Sequence, residues 1–251
     1  MRIIAFTNQK GGVGKTTSVI NCGAALARRG KSVLLVDLDP QAHLTLSLGH
    51  KAHELDRTIY ELLKGEITLA EALIDGPGDL QLLPSSINLA AAEMELAGQP
   101  GREYLLRQTL KKLNKKPEYI LIDCPPSLGL FTINGLAAAD EVFIPLQTEY
   151  LSLYGTGQLL QVVEVVKERL NEKLKITGII LTMHDSRKNL NKEVAEKIKE
   201  HFAGLVFNTP IRQNVSLAEA PSYGQDIFTY KADSPGAADY AALASEIIGR
   251  P

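Results

Sequence analysis

The sequence predicts an α/β protein with a mostly parallel twisted sheet flanked by helices on both faces. Short β-branched runs alternate with helical stretches along the 251 residues, which is the pattern of βαβ units. The runs are apolar on both faces, as strands buried between two helical layers are. No linker, repeat or low-complexity tract interrupts the alternation, so we expect one domain over residues 1–251.

The predicted elements follow one another closely along the chain. Strands are predicted over residues 2–8, 32–39, 80–86, 119–126, 141–147 and 176–183. The predicted helices cover residues 15–29, 101–114, 152–171 and 189–203. An irregular insertion over residues 45–100 is expected to carry two small helices beside its strand. A last helix is expected to begin at Pro235, with Ser234 as its N-cap.

Composition and charge narrow the class of protein. A net charge of -2 gives no overall attraction to nucleic acid or anionic lipid, so DNA binding requires a local basic patch. Cys22 and Cys124 lie in apolar segments and are expected to be buried thiols. No apolar run approaches the roughly 20 residues of a membrane span, and the first residues turn polar too soon for a signal peptide. We therefore expect a cytoplasmic protein without a membrane partner.

The stretch "NQKGGVGKTT", residues 8–17, joins the first predicted strand to the first predicted helix. A glycine-rich loop ending in Lys-Thr in that context indicates a phosphate-binding loop. Its glycines allow close approach of a phosphate, while the helix N-terminus directs N–H groups at the anion. Lys15 is expected on the β- and γ-phosphates, and the Thr16 hydroxyl on Mg²⁺. The predicted nucleotide-binding residues of the loop are Lys10, Gly11, Gly12, Val13, Gly14, Lys15, Thr16 and Thr17.

Carboxylates end two of the predicted strands. Asp37 and Asp39 stand two residues apart in "LLVDLDPQ" and therefore point to the same face, and Asp123 ends the strand in "ILIDCPPS". Ligands of open α/β sheets bind at such carboxyl ends. Asp123 suits a contact with a magnesium-bound water, and either of the other two aspartates is suited to orient an attacking water. Lys10 is a further cation beside Lys15, one more than a phosphate loop requires.

Together these motifs resemble the deviant Walker A ATPases of the P-loop NTPases, in particular the ParA/Soj-type partition proteins. The segments that carry the resemblance are "KGGVGKTT", "LLVDLDPQ", "ILIDCPPS", "QTEYLSLYGTGQLL", "LTMHDSRKNL" and "NVSLAEAPSYGQDI". They are spread over most of the chain. The resemblance implies a homodimer in the ATP state, in which Lys10 reaches the nucleotide of the partner subunit.

The resemblance also implies roles for single residues. It assigns catalysis to Lys10, Lys15 and Asp39, and places Thr16, Asp37 and Asp123 on the magnesium side. For the adenine pocket it implies Met183, Pro210 and Asn214.

The DNA-binding surface is the part of the resemblance that this sequence follows least. Arg187 matches a DNA-binding position of the family, but Ser216 stands where an arginine is common. Arg212 lies close enough in sequence to compensate. On the predicted helix after Arg187, three lysines fall along one edge and make a short basic stripe, namely Lys188, Lys192 and Lys199.

The function that the resemblance implies is an ATP-dependent dimerisation switch. Its ATP dimer binds nonspecific DNA, and hydrolysis to ADP, weak alone and stimulated by a ParB-like or cargo-adaptor protein, drives chromosome or plasmid segregation on the nucleoid. One alternative is a positioning ATPase for a protein cargo on the nucleoid. Another is a MinD-like membrane-surface regulator, but the chain shows neither a basic amphipathic tail nor an N-terminal helix-turn-helix.

Overall fold

The computed structural model of the protein describes residues 1–149, Ser152 and residues 155–250. One seven-stranded sheet forms the centre, in the order β3-β4-β2-β5-β1-β6-β7. Its strands are β1 Arg2–Phe6, β2 Val33–Asp37, β3 Ile74–Asp75, β4 Leu80–Leu83, β5 Tyr119–Asp123, β6 Glu141–Gln147 and β7 Lys175–Thr182. Each neighbouring pair is parallel except β3–β4, which is antiparallel at one edge. The predicted mostly parallel sheet is confirmed.

Helices cover both faces of the sheet. They are α1 Lys15–Ala27, α2 His43–Ser47, α3 Ile59–Lys64, α4 Leu69–Ala72, α5 Leu89–Glu95, α6 Leu105–Leu110, α7 Leu130–Ala138, α8 Thr156–Arg169, α9 Asn189–His201, α10 Val215–Glu219, α11 Ile227–Lys231 and α12 Pro235–Gly249. On one face α1 and α12 share an apolar core with the sheet, and on the other α6 to α9 do so.

The strand β1 shows why the runs are apolar throughout. Ile3 and Ala5 belong to the core on one face, while Ile4 and Phe6 belong to the core on the other. Because successive side chains point to opposite faces, a strand buried on both sides needs apolar residues at every position. The continuous apolar pattern is therefore a direct consequence of the two helical layers.

Two predictions about the helices were incomplete. The helix α7 was not predicted, because its residues are buried on nearly all sides and it has no polar face to give a helical period. The insertion carries α3, α4 and α5 rather than two small helices, together with the short strand β3. The shorter of these helices lack a periodic window, and α4 has only four residues.

Other local predictions are confirmed. The side chain of Ser234 accepts a hydrogen bond from the backbone N–H of Ala237, and Pro235 opens α12. Cys22 and Cys124 are both buried free thiols. The described part of helix 152–171 starts at Thr156 and ends at Arg169, and the segment "QTEYLSLYGTGQLL" lies partly outside the described residues. Among the described residues, no helix is both long and apolar enough to cross a membrane.

The sheet brings the predicted site residues together at the carboxyl ends of its strands. The register pairs Asp37 at the end of β2 with Asp123 at the end of β5, and pairs Asp123 with Phe6 at the end of β1. The loop that follows β1 therefore lies beside both carboxylates. Strand order, rather than distance along the chain, assembles the site.

Candidate active site

The loop between β1 and α1 has the backbone geometry of an anion cradle. Gly12 and Gly14 adopt left-handed conformations, with φ of 74° and 84°, which L-residues with a side chain rarely adopt. Gly14 is the N-cap of α1 and offers no side-chain cap. The first N–H groups of the helix are thus left for a ligand, and the helix dipole favours an anion there.

The strands β6 and β7 fix the outer side of this loop. The Gln147 Nε2 group donates to the Gly12 carbonyl at 3.1 Å, and the Thr182 hydroxyl donates to the Val13 carbonyl at 2.9 Å. At the start of the loop, the Lys10 backbone N–H donates to Asn8 Oδ1 at 3.0 Å. With two of its carbonyls bonded to the sheet, the loop is held in shape before any ligand binds.

Lys15 and Thr16 lie next to Asp123. Lys15 is buried, which lowers the pKa of its ammonium group, while attraction to Asp123 and Asp39 opposes that change. The Thr16 hydroxyl donates to Asp123 Oδ2 at 2.6 Å. The cation, the hydroxyl and the carboxylate that the sequence predicted for phosphate and magnesium binding are therefore brought together.

The donor set around Asp123 fits a magnesium ion. Its second oxygen, Oδ1, is buried and has no hydrogen-bond partner among the described residues. Burial, and next the charge of Asp37, raise the pKa of Asp123 to about 8. A carboxylate oxygen with free coordinating capacity beside the Thr16 hydroxyl is the oxygen-rich environment that Mg²⁺ prefers. A divalent cation would stabilise the ionised form that burial disfavours.

Asp37 has a different environment. Its Oδ2 accepts hydrogen bonds from the Thr45 backbone N–H at 2.9 Å and from the Thr45 hydroxyl at 2.7 Å, while its Oδ1 accepts from the Asp39 N–H at 3.2 Å. Burial raises the pKa of Asp37 to about 7, against these hydrogen bonds. Both oxygens already accept hydrogen bonds, and Oδ2 holds the start of α2, so Asp123 has more free capacity for a metal than Asp37 does.

Asp39 lies at the mouth of the site. It is half-buried, and its Oδ1 accepts a hydrogen bond from the Gln41 backbone N–H at 2.9 Å. Together with Lys15 and Thr16 it lines a cavity of about 400 Å³ that also reaches the loop glycines. Of the aspartates predicted for the site, Asp39 is the one that lines this cavity, where an attacking water would have access.

A second cavity, of about 300 Å³, lies next to the loop and contains two of the residues predicted for the adenine pocket. Met183, Asn214 and Thr17 all line it. Met183 is held with a φ of 51°, a strained conformation for a residue with a side chain, and Gln147 Nε2 lies 2.8 Å from its sulfur. The Asn214 Oδ1 atom is buried without a partner among the described residues, which leaves an acceptor for a ligand N–H. Pro210 belongs to neither cavity.

Lys10 does not point into the cavity that Lys15 occupies. Its Nζ donates to Gln147 Oε1 at 2.9 Å and to Glu149 Oε2 at 2.8 Å. The side chain is 43% exposed, so this ion pair forms on the outer surface of the loop. The second lysine thus lies on the outer surface of the loop, where Gln147 and Glu149 hold it.

The residues predicted for DNA binding lie partly in ion pairs. Arg187 is exposed, but Asp185 accepts from its Nε at 2.9 Å, and Asp239 engages the Arg212 guanidinium at 2.6 Å. Lys199 pairs with Glu196 at 2.9 Å, one turn away on α9. In the described part of the chain the remaining members of the stripe, Lys188 and Lys192, are exposed and form no ion pair.

Sequence reasoning missed several residues that shape the site. Gln147 contacts Lys10, the Gly12 carbonyl and Met183, and Thr45 anchors Asp37. Gln147 opens the segment "QTEYLSLYGTGQLL", but no role was assigned to it, because its contacts depend on the position of β6 beside β1. The signal that was available for Thr45 was its place shortly after Asp37 and Asp39.

The parallel sheet, the loop after β1 and the Lys15–Thr16–Asp123 cluster define a P-loop nucleotide-binding protein. The sequence matches the AAA domain family over residues 1–176. It is 48% identical to the chromosome-partitioning ATPase Soj of Treponema pallidum. The alignment spans 250 residues and covers 99% of this chain and 98% of that protein. It is 46% identical over 247 residues to the sporulation initiation inhibitor protein Soj of Bacillus subtilis, covering 98% of each. The chain belongs to the ParA/Soj family of chromosome-partitioning ATPases, and it is an ATPase.

A solved structure supports the same fold. It is described as the cobyrinic acid a,c-diamide synthase of Mycobacterium smegmatis with bound ADP and magnesium. The two chains are 39% identical and superpose with a TM-score of 0.88, over 100% of this chain and 97% of the other. A protein of the same fold thus holds a nucleotide and magnesium.

Proposed function

We propose that the protein is an ATP-dependent dimerisation switch for chromosome or plasmid partition. The ATP dimer binds DNA without sequence preference, and hydrolysis to ADP returns the protein to the monomer. ATP and Mg²⁺ are the ligands of the cavity beside Lys15. A ParB-like or cargo-adaptor protein stimulates an otherwise weak hydrolysis, and the switch acts on the nucleoid.

The position of Lys10 carries this proposal. One lysine of the loop is buried beside Asp123, while the other is exposed on its outer surface. Two phosphate loops that face each other across a dimer would repel through their bound triphosphates. A cation supplied by each subunit to the nucleotide of the other offsets that repulsion, as an arginine finger does. ATP then favours the dimer by mass action, and the loss of the γ-phosphate releases it.

The residues of one subunit have separable tasks in hydrolysis. The loop N–H groups and Lys15 hold the phosphates, and Thr16 and Asp123 hold the magnesium ion, whose charge neutralises phosphate oxygens. Asp37 positions α2 through Thr45. Asp39, with one oxygen held by the Gln41 N–H, orients the attacking water from the cavity.

The basic stripe on α9 supports DNA binding. Lys188 and Lys192 are exposed and free of ion pairs within the described ranges, and each is suited to neutralise one phosphate. A dimer would present two such stripes and bind more tightly than a monomer. Asp185 and Asp239 partly neutralise Arg187 and Arg212, so these arginines would add less to this surface than the lysines.

A membrane-surface role receives less support from α12. Its apolar residues are buried in the core that it shares with α1, among them Tyr240, Leu243 and Ile247. A membrane-binding helix needs a free apolar face. The same switch is also compatible with a protein cargo on the nucleoid in place of a chromosome or plasmid.

The dimer is tested by sedimentation velocity with ATP, ADP or no nucleotide. We expect the wild type to dimerise with ATP only, and Lys15→Ala to stay monomeric because it no longer binds the nucleotide. Lys10→Ala should bind ATP normally and yet stay monomeric. The matched control is Lys10→Arg, which keeps the charge and should retain part of the dimer. Normal ATP-dependent dimerisation of Lys10→Ala would refute the role of Lys10 across the interface.

A further inference from the structure

A further pocket lies at the amino-terminal ends of the strands, opposite the carboxyl ends that carry the phosphate loop. It has a volume of about 220 Å³. Three residues of its lining each lie just before a strand: Lys116 before β5, Asp140 before β6 and Lys173 before β7. The end of α6 closes one side of the pocket. The nucleotide site lies at the carboxyl ends of the same strands, so the two pockets are separated by the length of the strands.

Basic side chains converge on this pocket from segments that are far apart in sequence. Arg107 and Lys111 come from the end of α6, Lys116 from the loop before β5, and Lys173 from the turn before β7. The whole chain has a net charge of -2, so this concentration does not follow from a generally basic composition. The fold itself brings these cations together.

Among the described residues, the positive charges that line the pocket outnumber the negative ones. In the part of the chain that the structure describes, Lys111, Lys116 and Lys173 form no ion pair. The only acidic residue of the lining is Asp140, and its Oδ2 accepts a hydrogen bond from the Ile3 N–H at 3.0 Å. Like charges that line one pocket repel each other, and an anion bound between them would offset that repulsion.

Helix capping does not account for these lysines. The helix α7 ends at the pocket, and its last carbonyls would attract cations. However, Asn171 Nδ2 already donates to the Leu136 carbonyl at 3.0 Å and to the Ala139 carbonyl at 2.6 Å. An amide caps this helix end, which leaves the lysines without a structural partner.

We propose that this pocket binds a compact phosphate group, independently of the nucleotide site. Its concave shape and small volume suit a single phosphate or diphosphate group, whether free or part of a larger molecule. Arg107 offers planar paired donors to phosphate oxygens, and the lysines add point charges around them. The phosphate group has two possible sources, a small polyphosphate compound or the backbone of a nucleic acid.

The test measures the binding of inorganic pyrophosphate to the full chain by calorimetry. Saturating ADP without added Mg²⁺ keeps the phosphate loop filled. The test variant is Lys111→Ala combined with Lys173→Ala. The matched control is Lys115→Ala, since Lys115 adjoins Lys116 but pairs with Asp79 at 3.6 Å and does not line the pocket. These lysines are exposed, so circular dichroism should show each variant folded.

We expect saturable, salt-sensitive binding that the double variant weakens at least about tenfold and Lys115→Ala leaves unchanged. A second arm repeats the comparison with a short DNA duplex and with ATP in place of ADP, because the proposed switch binds DNA in its ATP state. If the double variant weakens duplex binding and pyrophosphate does not bind, the phosphate comes from nucleic acid and the site stands. The proposal is overturned if neither ligand binds, or if Lys115→Ala loses as much binding as the double variant. This test does not involve Lys10 or Asp39, so its failure leaves the dimer switch untouched.

Discussion

At the scale of single residues, the lysines of the phosphate loop have different surroundings. Lys15 is buried against Asp123 and Asp39, while Lys10 is exposed and paired with Glu149. The ion pair with Glu149 holds the Lys10 side chain on its own subunit. To reach a partner subunit, Lys10 must leave both Gln147 and Glu149.

Glu149→Gln should therefore favour the ATP dimer. An exposed ion pair is worth about 0.2–1 kcal/mol and the dimer contains two, so releasing Lys10 in both subunits should lower the dimer dissociation constant by about two- to thirtyfold. Analytical ultracentrifugation at a series of protein concentrations with ATP measures this change. The control is Glu164→Gln, which removes an exposed partner of Lys167 on α8. A dimer weakened by Glu149→Gln would show that Glu149 itself contributes to the interface.

The buried carboxyl of Asp123 predicts a pH dependence of stability. Its pKa of about 8 exceeds the ordinary value of 3.8, so between these values the folded chain holds a proton that the unfolded chain has lost. The stability of the metal-free protein should accordingly fall as the pH rises from about 4 to about 8. Urea unfolding at several pH values measures the slope, and Asp123→Asn should reduce it. An equal slope in that variant would place the effect elsewhere, with Asp37 as the next group.

The same pKa predicts that magnesium nucleotide binding releases a proton near neutral pH. Coordination requires the ionised carboxylate, whereas burial keeps Asp123 protonated in the free protein. The calorimetric binding enthalpy should consequently vary with the ionisation enthalpy of the buffer. Asp123→Asn should weaken binding and remove that variation. Buffer-independent enthalpies for the wild type would contradict the assignment of Asp123 to the metal.

At the scale of elements, α2 depends on one buried threonine. The Thr45 hydroxyl donates to Asp37 and accepts from the Ser85 N–H at 3.0 Å, which ties α2 to the ends of β2 and β4. Thr45→Val should cost about 1–3 kcal/mol, because it leaves buried polar groups unpaired. Urea denaturation checks this value, and Thr45→Ser, which keeps the hydroxyl, should cost far less. Similar losses in both variants would point to the methyl group.

The helix α9 allows a matched test of the basic stripe. Lys188→Ala and Lys192→Ala should each reduce the slope of log affinity against log salt for DNA by about one. Lys197 lies roughly 180° from Lys188 around the helix, so Lys197→Ala should leave the slope unchanged. Fluorescence anisotropy with ATP present gives the slopes. Equal effects at all these positions would indicate a general charge effect rather than a DNA-binding face.

The sequence predicted well what depends on local pattern. The strands β1, β2 and β5, the phosphate loop and the N-cap at Ser234 follow from apolar runs, glycine spacing and capping chemistry. It failed for α7, which is buried on nearly all sides and has no amphipathic period. It also gave no role to Glu149, because that contact with Lys10 exists only once β6 lies beside β1.

At the scale of the whole molecule, the two edges of the sheet have different chemistry. The carboxyl ends of the strands carry the nucleotide cavity with Asp39 and Lys15. Their amino ends carry the group of basic residues around Lys116. Identity of 48% to the Soj ATPase of Treponema pallidum, over nearly the whole of both chains, places the chain among the chromosome-partitioning ATPases. The switch proposed here requires that ATP, dimer and DNA be coupled in one molecule.

The most direct test of that coupling is binding to a random-sequence DNA duplex with ATP, ADP or no nucleotide, across a salt series. Wild type, Asp39→Ala and Lys10→Ala are compared. We expect salt-sensitive binding that requires ATP, lasts longer in Asp39→Ala because hydrolysis is blocked, and is lost in Lys10→Ala because the dimer does not form. Binding that is equal with ATP, with ADP and without nucleotide would contradict the switch. An intact ATP dimer that does not bind DNA would also contradict the account. That result would indicate that the dimer acts on a protein or membrane surface instead.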